Sequence, residues 1–222
     1  MPTAACTPLP DGALAAIARL RRATAGSAPT YPELLAAART PDDVVTLALA
    51  GVITNAPLRP APYDVPIAGL APPILAAVLA DRFPRLTHAH HAALLAPAEA
   101  AQAAEAAGDP IDEFHDLVTL LLEHRNDADA SSHALAHAVA TASMGADHLW
   151  QDLGLPHRRA LSELMDTRFR TLARRNSGDM KWKKFLYKQL CERADIFVCK
   201  SPSCAACSDY DACFGPETDP AP

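Results

Sequence analysis

Apolar residues recur at every third or fourth position through the second half of the chain, which is the spacing of one face of an α-helix. Four such stripes are present: Ile111, Phe114, Leu117, Val118, Leu121 and Leu122; Leu135, Val139, Ala142, Ala146 and Leu149; Leu161, Leu164, Met165, Phe169 and Leu172; and Trp182, Phe185, Leu186 and Leu190. Pro156 and Gly178 fall between stripes. The sequence has no alternating β-branched run bounded by turns, so it predicts an all-α fold.

Helix starts are also visible in the first half of the chain, which is rich in alanine and proline. Thr30 followed by Glu33 is typical of a capping box. In this motif the side chain of each residue accepts a hydrogen bond from the backbone N–H of the other at the start of the helix. Thr40 followed by Asp43 indicates a second start of the same kind. The helical prediction therefore extends to the first half.

The domain organisation follows from where helix signals stop. Residues 57–66 carry four prolines and predict a loop. We expect one α-helical domain over residues 1–198, with a proline-rich loop near 55–66. Residues 199–217, called the cysteine segment below, have too few apolar residues to fold alone, and we expect an irregular metal-binding loop there. Residues 218–222 are expected to be a flexible tail.

Composition and charge limit the expected partners and cellular compartment of the protein. The net charge of −6 gives no reason to expect nucleic-acid binding. No apolar run approaches the roughly 18–20 residues that cross a bilayer, and the first twelve residues lack the features of a secretory signal. We therefore expect a cytoplasmic protein with no membrane partner, in a compartment where thiols stay reduced.

Four cysteines lie within fifteen positions in the spacing C-x4-C-x2-C-x5-C: Cys199, Cys204, Cys207 and Cys213. In a reducing compartment such a cluster indicates metal ligation more often than disulfides. Structural zinc sites commonly use two C-x2-C pairs that lie far apart, whereas only one pair is present here. The opening C-x4-C-x2-C also matches the first three ligands of a plant-type ferredoxin. The spacing favours an iron–sulfur cluster, with zinc as the alternative.

A second candidate set lies on the helix predicted over residues 133–150. At 100° per residue, His133, His137, Met144 and His148 align opposite its apolar stripe. Imidazole and thioether groups are plausible ligands for a metal in transit, so His148 is a candidate accessory ligand. The alternative is an ordinary solvated helix face.

Residues 180–192 supply further candidates. Lys181, Lys184 and Lys188 are spaced to form one basic ridge, which could attract an anion or dock an acidic partner. Cys191 lies on the same predicted helix beside Lys184, and a neighbouring ammonium lowers the pKa of a thiol. Cys191 is therefore a candidate spare ligand, or else a structural thiol.

Catalytic signatures are missing from the sequence. It contains no phosphate-binding G-x4-G-K-[ST], no G-x-G-x-x-G, no G-x-S-x-G and no H-E-x-x-H. Their absence favours a carrier protein over an enzyme.

Three stretches resemble a known family. DHLWQDLGL (147–155), MKWKKFLYKQLCE (180–192) and CKSPSCAACSDYDACFGPE (199–217) are similar to the NifQ family, the Q proteins of nitrogen fixation. The resemblance covers roughly residues 111–217, and the first hundred residues contribute little to it.

The resemblance implies a specific task. NifQ proteins are understood to carry a molybdenum–iron–sulfur cluster and to donate molybdenum for the nitrogenase iron–molybdenum cofactor. The family's cluster-binding cysteines correspond to Cys199, Cys204, Cys207 and Cys213. The implied partners are the cofactor assembly scaffold and the nitrogenase iron protein. A zinc-stabilised helical interaction module and an iron–sulfur electron-transfer protein are the alternative functions.

Overall fold

The computed structural model of the chain describes residues 27–105, 112–195, 204, 207–208 and 210–217. Regular structure in these ranges is helical throughout, with no strand, so the all-α prediction is confirmed for them. The helices are α1 Tyr31–Ala37, α2 Val44–Thr54, a 3-10 turn Ala56–Leu58, α3 Pro72–Arg82, α4 His88–Glu105, α5 Asp112–His124, α6 Ala130–Ser143, α7 Leu149–Asp152, α8 Arg158–Arg168, α9 Arg170–Ala173, α10 Trp182–Arg193 and α11 Tyr210–Phe214. None of them combines the length and the apolar character needed to cross a bilayer.

Helix α6 lies at the centre of the molecule and packs against α2, α3, α5 and α7. Its residues from Ser132 to Ser143 are buried almost without exception, on all sides of the helix rather than on one stripe. Alanine at alternate positions (Ala134, Ala136, Ala138, Ala140 and Ala142) keeps the helix narrow, so neighbouring helices can surround it. The alanines of α6 are thus a packing feature of the core.

A close backbone crossing fixes α7 against α2. An added Cβ on Gly51 would lie 2.1 Å from the carbonyl oxygen of Leu153 and 2.6 Å from the Cα of Gly154. Gly154 also has a positive φ of 63°, which favours glycine. Two glycines are therefore needed where these elements meet, and the crossing sets the position of the short helix α7.

The prediction of one helix over residues 133–150 is wrong. Helix α6 ends at Ser143, and His148 is the N-cap of the separate helix α7. Two contacts stabilise the break between α6 and α7. The Lys183 ammonium donates to the carbonyl oxygen of Gly145 at 2.8 Å. The Asp152 carboxylate packs so closely on Gly145 that an added Cβ there would lie 2.3 Å from it. A tertiary contact thus overrides the apolar periodicity.

The predicted shared face of four ligand-type side chains is therefore also wrong. His137 is buried, with its ring stacked on His133 at a centroid distance of 5.0 Å, and its Nδ1 lies 3.1 Å from the carbonyl oxygen of Ala68. His148 lies beyond the helix break. His137 is a core residue, and His148 belongs to a different part of the surface.

Candidate metal-binding segment

Three of the four motif cysteines fall within the described residues, and Cys199 lies outside them. Cys204, Cys207 and Cys213 are free thiols; Cys204 is exposed, and the other two are half-buried. The amide of Cys207 donates to the carbonyl oxygen of Cys204 at 3.2 Å, which forms a turn. Cys204 and Cys207 therefore lie on a surface turn, and Cys213 lies half-buried on the short helix α11 that follows.

The expectation of an irregular cysteine segment is only partly met, because helix α11 carries Cys213. The Gly215 amide closes this helix by donating to the Asp211 carbonyl oxygen at 2.9 Å. Within the residues the structure covers, no group of three or more His, Cys, Asp or Glu side chains is arranged to hold a metal ion. The metal-binding role of the segment stays a prediction.

Two hydrogen bonds from Lys181 dock α11 against the start of α10. The Lys181 amide donates to the carbonyl oxygen of Cys213 at 2.8 Å, and its ammonium donates to the carbonyl oxygen of Asp211 at 2.9 Å. Cys213 and Phe214 also pack against the hydrophobic core. Lys181 therefore holds the cysteine segment in place.

The other two lysines of the predicted ridge have different surroundings. Lys184 is exposed, and the Lys188 ammonium lies 3.5 Å from the Glu192 carboxylate one turn further along α10. Cys191 is a half-buried free thiol on the same helix. The predicted roles of Lys184, Lys188 and Cys191 stay predictions.

A second attachment of the cysteine segment is a buried carboxylate that the sequence analysis missed. The Glu217 side chain is only 4% exposed, and its Oε1 lies 3.7 Å from Nδ1 of His148 and 3.8 Å from Nε of Arg158. We call these three residues the Glu217 anchor. His148, predicted as an accessory ligand, is thus brought to the cysteine segment through Glu217.

Arg158 links the Glu217 anchor to the loop before α10. Its Nη2 donates to the carbonyl oxygen and the carboxylate of Asp179, each at 2.9 Å, and to the carbonyl oxygen of Met180 at 3.3 Å. No local sequence pattern could reveal the anchor, because its members lie 59 or more positions from Glu217 along the chain.

A buried polar network around α7 holds the helix that His148 of the Glu217 anchor caps. The Lys183 ammonium is hydrogen-bonded and ion-paired to the Asp152 carboxylate. Burial raises the pKa of Asp152, and the Lys183 charge acts in the opposite direction. Nearby, burial lowers the pKa of Arg59 to about 10, although its guanidinium donates to the carbonyl oxygens of Tyr63 and Val65. The network fixes α7 and hence its N-cap, His148.

Fold and site together define a helical protein that displays free thiols on a surface segment docked through backbone carbonyls and one buried carboxylate. The NifQ family matches residues 33–215, and the chain belongs to that family. Membership implies a role in nitrogen fixation. The match begins at residue 33, so it extends further upstream than the resemblance over residues 111–217 and includes part of the alanine-rich half.

Several relatives agree with this assignment. The chain is 48% identical to Protein NifQ of Azotobacter vinelandii over 106 residues, which are 48% of this chain and 54% of that protein. It is 42% identical over 99 residues to Protein NifQ of Rhodobacter capsulatus, covering 45% and 55% of the two chains. It is also 42% identical over 96 residues to the Protein NifQ homolog of Sinorhizobium fredii, covering 43% and 42%. The chain thus spans about half the length of the curated relatives it matches. No solved structure matches it.

Proposed function

We propose that this protein carries a molybdenum–iron–sulfur cluster and donates molybdenum for assembly of the nitrogenase iron–molybdenum cofactor. The observation that supports it best is the set of accessible free thiols at Cys204, Cys207 and Cys213 on a docked surface segment. Membership of the NifQ family gives the nitrogen-fixation context.

The donor set fits this cargo chemically. Thiolates are soft ligands that suit iron–sulfur clusters, and Cys199, Cys204, Cys207 and Cys213 would hold the cluster. Bound there, the cluster supplies sulfur ligands to molybdenum. The protein's own part is to present the four thiols together, while Lys181 and Glu217 keep the segment on the helical body.

A carrier role is more consistent with this site than an enzymatic one. A carrier must release its cargo, and thiols that are exposed or half-buried at the surface can exchange ligands with a docking partner more readily than thiols enclosed in a core. The partners we propose are the cofactor assembly scaffold and the nitrogenase iron protein, from the family resemblance.

Metal content tests the proposal directly. Protein purified without oxygen from molybdate-fed cells should be brown and should contain iron, sulfide and molybdenum. Colourless protein with stoichiometric zinc would refute the proposal and support a zinc-stabilised interaction module. Iron and sulfide with a reversible redox couple, but without molybdenum, would instead indicate electron transfer.

Substitution of single cysteines separates the site from the scaffold. Cys204→Ser or Cys207→Ser should abolish cluster binding and leave the helical circular dichroism almost unchanged, because the core lies upstream of both. Cys191→Ser tests separately whether this half-buried thiol outside the motif is a spare ligand. Retention of the cluster in Cys204→Ser, or loss of helicity with it, would contradict the proposed site.

A further inference from the structure

A cavity of about 530 Å³ lies beside the cysteine segment. The connection from α9 to α10 and one face of α10 form most of its wall, and Phe214 of α11 closes one side. Phe214 directly follows Cys213 in the chain. Since one water molecule occupies about 30 Å³ in the liquid, the cavity can hold a small anion together with several hydrating waters.

The charged lining of the cavity is predominantly basic. Arg174, Arg175 and Lys188 contribute three cations, and Glu192 contributes one carboxylate. Both Glu192 oxygens have partners: Oε2 accepts from Nε2 of Gln189 at 2.6 Å, and Oε1 lies 3.5 Å from the Lys188 ammonium. The carboxylate thus opposes an anion electrostatically while it holds two other lining residues in place.

The two arginines supply the donor geometry. The Arg175 Nη1 donates to Oε1 of the buried Gln189 at 3.2 Å, which orients the guanidinium at the cavity wall. A guanidinium has five N–H donors in a planar fork that matches two oxygens of an oxyanion, so donors remain available. Within the part of the chain that the structure covers, the Arg174 guanidinium has no hydrogen-bond or ion-pair partner.

The distribution of charged residues along the chain favours anion binding at the cavity. Eleven of the 20 Lys and Arg residues lie between residues 158 and 193, against four of the 26 Asp and Glu residues. Four of these cations lie near or pair with carboxylates outside the segment (Arg158 with Glu217, Arg168 with Asp127, Lys183 with Asp152 and Arg193 with Glu123), whereas Arg174 and Arg175 form no ion pair within the described residues. Unpaired cations on an acidic protein attract small anions from solution. The cavity opens within this basic region.

We propose that the cavity is a binding site for a tetrahedral oxyanion, held by Arg174, Arg175 and Lys188 next to the cysteine segment. The identity of the physiological anion as molybdate rests on the proposed function; the binding of an oxyanion does not. The site would place the oxygen-liganded form of the metal against Phe214, the residue that directly follows Cys213. Met180, Phe185 and Phe214 make part of the wall apolar, whereas the charged lining residues Arg174, Arg175 and Lys188 are exposed.

Calorimetric titration of the full-length protein tests this site, with molybdate, sulfate and phosphate as probes at low ionic strength. We expect saturable binding of one oxyanion per chain. Arg174→Gln and Arg175→Gln should each weaken binding by about three- to tenfold, because each loses a charged donor and both guanidinium groups are exposed. Arg170→Gln is the matched control, since Arg170 is an exposed arginine four residues before Arg174 and lies outside the cavity.

A change of the opposite sign separates an anion site from a merely structural role. Glu192→Gln keeps a hydrogen-bond acceptor and removes the opposing charge, so the affinity for molybdate should rise. A Cys204→Ser/Cys207→Ser double variant should bind the anion as the wild type does. Binding lost in that double variant, binding unchanged in both arginine variants, or no saturable binding would overturn the inference.

The two proposals fail in different ways. A protein that holds a molybdenum–iron–sulfur cluster, but whose oxyanion binding ignores Arg174 and Arg175, refutes the cavity and leaves the carrier function intact. Saturable binding that depends on the arginines, in a protein that never acquires molybdenum with iron and sulfide, keeps the cavity and refutes the carrier function. Tighter binding of phosphate than of molybdate would keep the oxyanion site and assign it to a different anion.

Discussion

The Glu217 anchor should determine how tightly the cysteine segment is held. Glu217→Gln keeps the size of the side chain and removes its negative charge. In the wild type this carboxylate is 4% exposed and lies within 3.8 Å of both His148 and Arg158, so its charge interacts through little water. We expect the substitution to weaken docking of the segment while the helical core stays folded.

The loss of docking free energy in Glu217→Gln can be estimated from the contacts that remain. Breaking a buried ion pair commonly costs about 3–5 kcal/mol, because the remaining charge is left unpaired. Here Arg158 keeps its contacts with Asp179 and Met180, and the anchor distances are longer than a direct hydrogen bond. About 1–3 kcal/mol is therefore the expected loss.

Hydrogen exchange at one amide measures this loss directly. The Lys181 amide donates to the carbonyl oxygen of Cys213, so it exchanges only when the segment detaches locally. A loss of about 1–3 kcal/mol should speed its exchange roughly five- to 150-fold. Core amides of α6, such as that of Val139, should exchange as in the wild type.

Asp179→Asn provides the matched control. It removes a carboxylate from the same arginine, but the Asp179 side chain is 73% exposed, and exposed pairs contribute little. Asparagine also tolerates the positive φ of 54° at this position. The reasoning is refuted if Glu217→Gln leaves the Lys181 exchange rate unchanged, or if Asp179→Asn raises it equally.

Three further substitutions test the core. Gly51→Ala should destabilise the protein by about 1–3 kcal/mol in urea unfolding, because the methyl group meets the backbone of Leu153. Lys183→Met should destabilise it by about 3 kcal/mol by leaving the Asp152 carboxylate buried without its ion pair. Burial lowers the pKa of His137 to about 4, below the ~6.5 of an unfolded chain, so the unfolded state takes up the proton first. Stability contributed by neutral His137 should be complete above pH ~6.5 and fall by about 2–3 kcal/mol towards pH 4, a dependence that His137→Gln should reduce.

Each of these has a clear contrary result. A Gly51→Ala protein as stable as the wild type would mean that α2 and α7 separate easily. A double variant Lys183→Met/Asp152→Asn should recover part of the stability lost in Lys183→Met, and no recovery would contradict the pairing. Equal pH dependence in His137→Gln and the wild type would assign that dependence to other groups.

Local sequence signals predicted local structure well. Glu33 accepts from the Thr30 backbone amide at 2.7 Å, as the capping box requires, and the stripe from Trp182 to Leu190 became α10. The second helix start was displaced by a few residues: α2 begins at Val44 because Asp43, rather than Thr40, caps it by accepting from the Thr46 amide. Short-range patterns fix the type of an element better than its first residue.

Features that depend on distant residues were not predictable from the sequence. The break between α6 and α7 depends on Lys183, which lies 38 positions from Gly145. The apolar stripe from Leu161 to Leu172 is divided at Phe169 between α8 and α9, although its residues are buried in both helices. The Glu217 anchor joins the end of the described chain to α7 and α8. Apolar periodicity predicts which residues face the core, but it does not predict which residues far apart in the sequence contact each other.

The docking of the cysteine segment through main-chain oxygens has a consequence for protein engineering. Lys181 holds the carbonyl groups of Asp211 and Cys213, which every amino acid possesses. The side chains at the motif positions can therefore be exchanged without removing these two bonds. A set of variants carrying histidine or aspartate at Cys204 and Cys207 would keep the same frame and offer harder ligands, so that one backbone could be tuned to different metals.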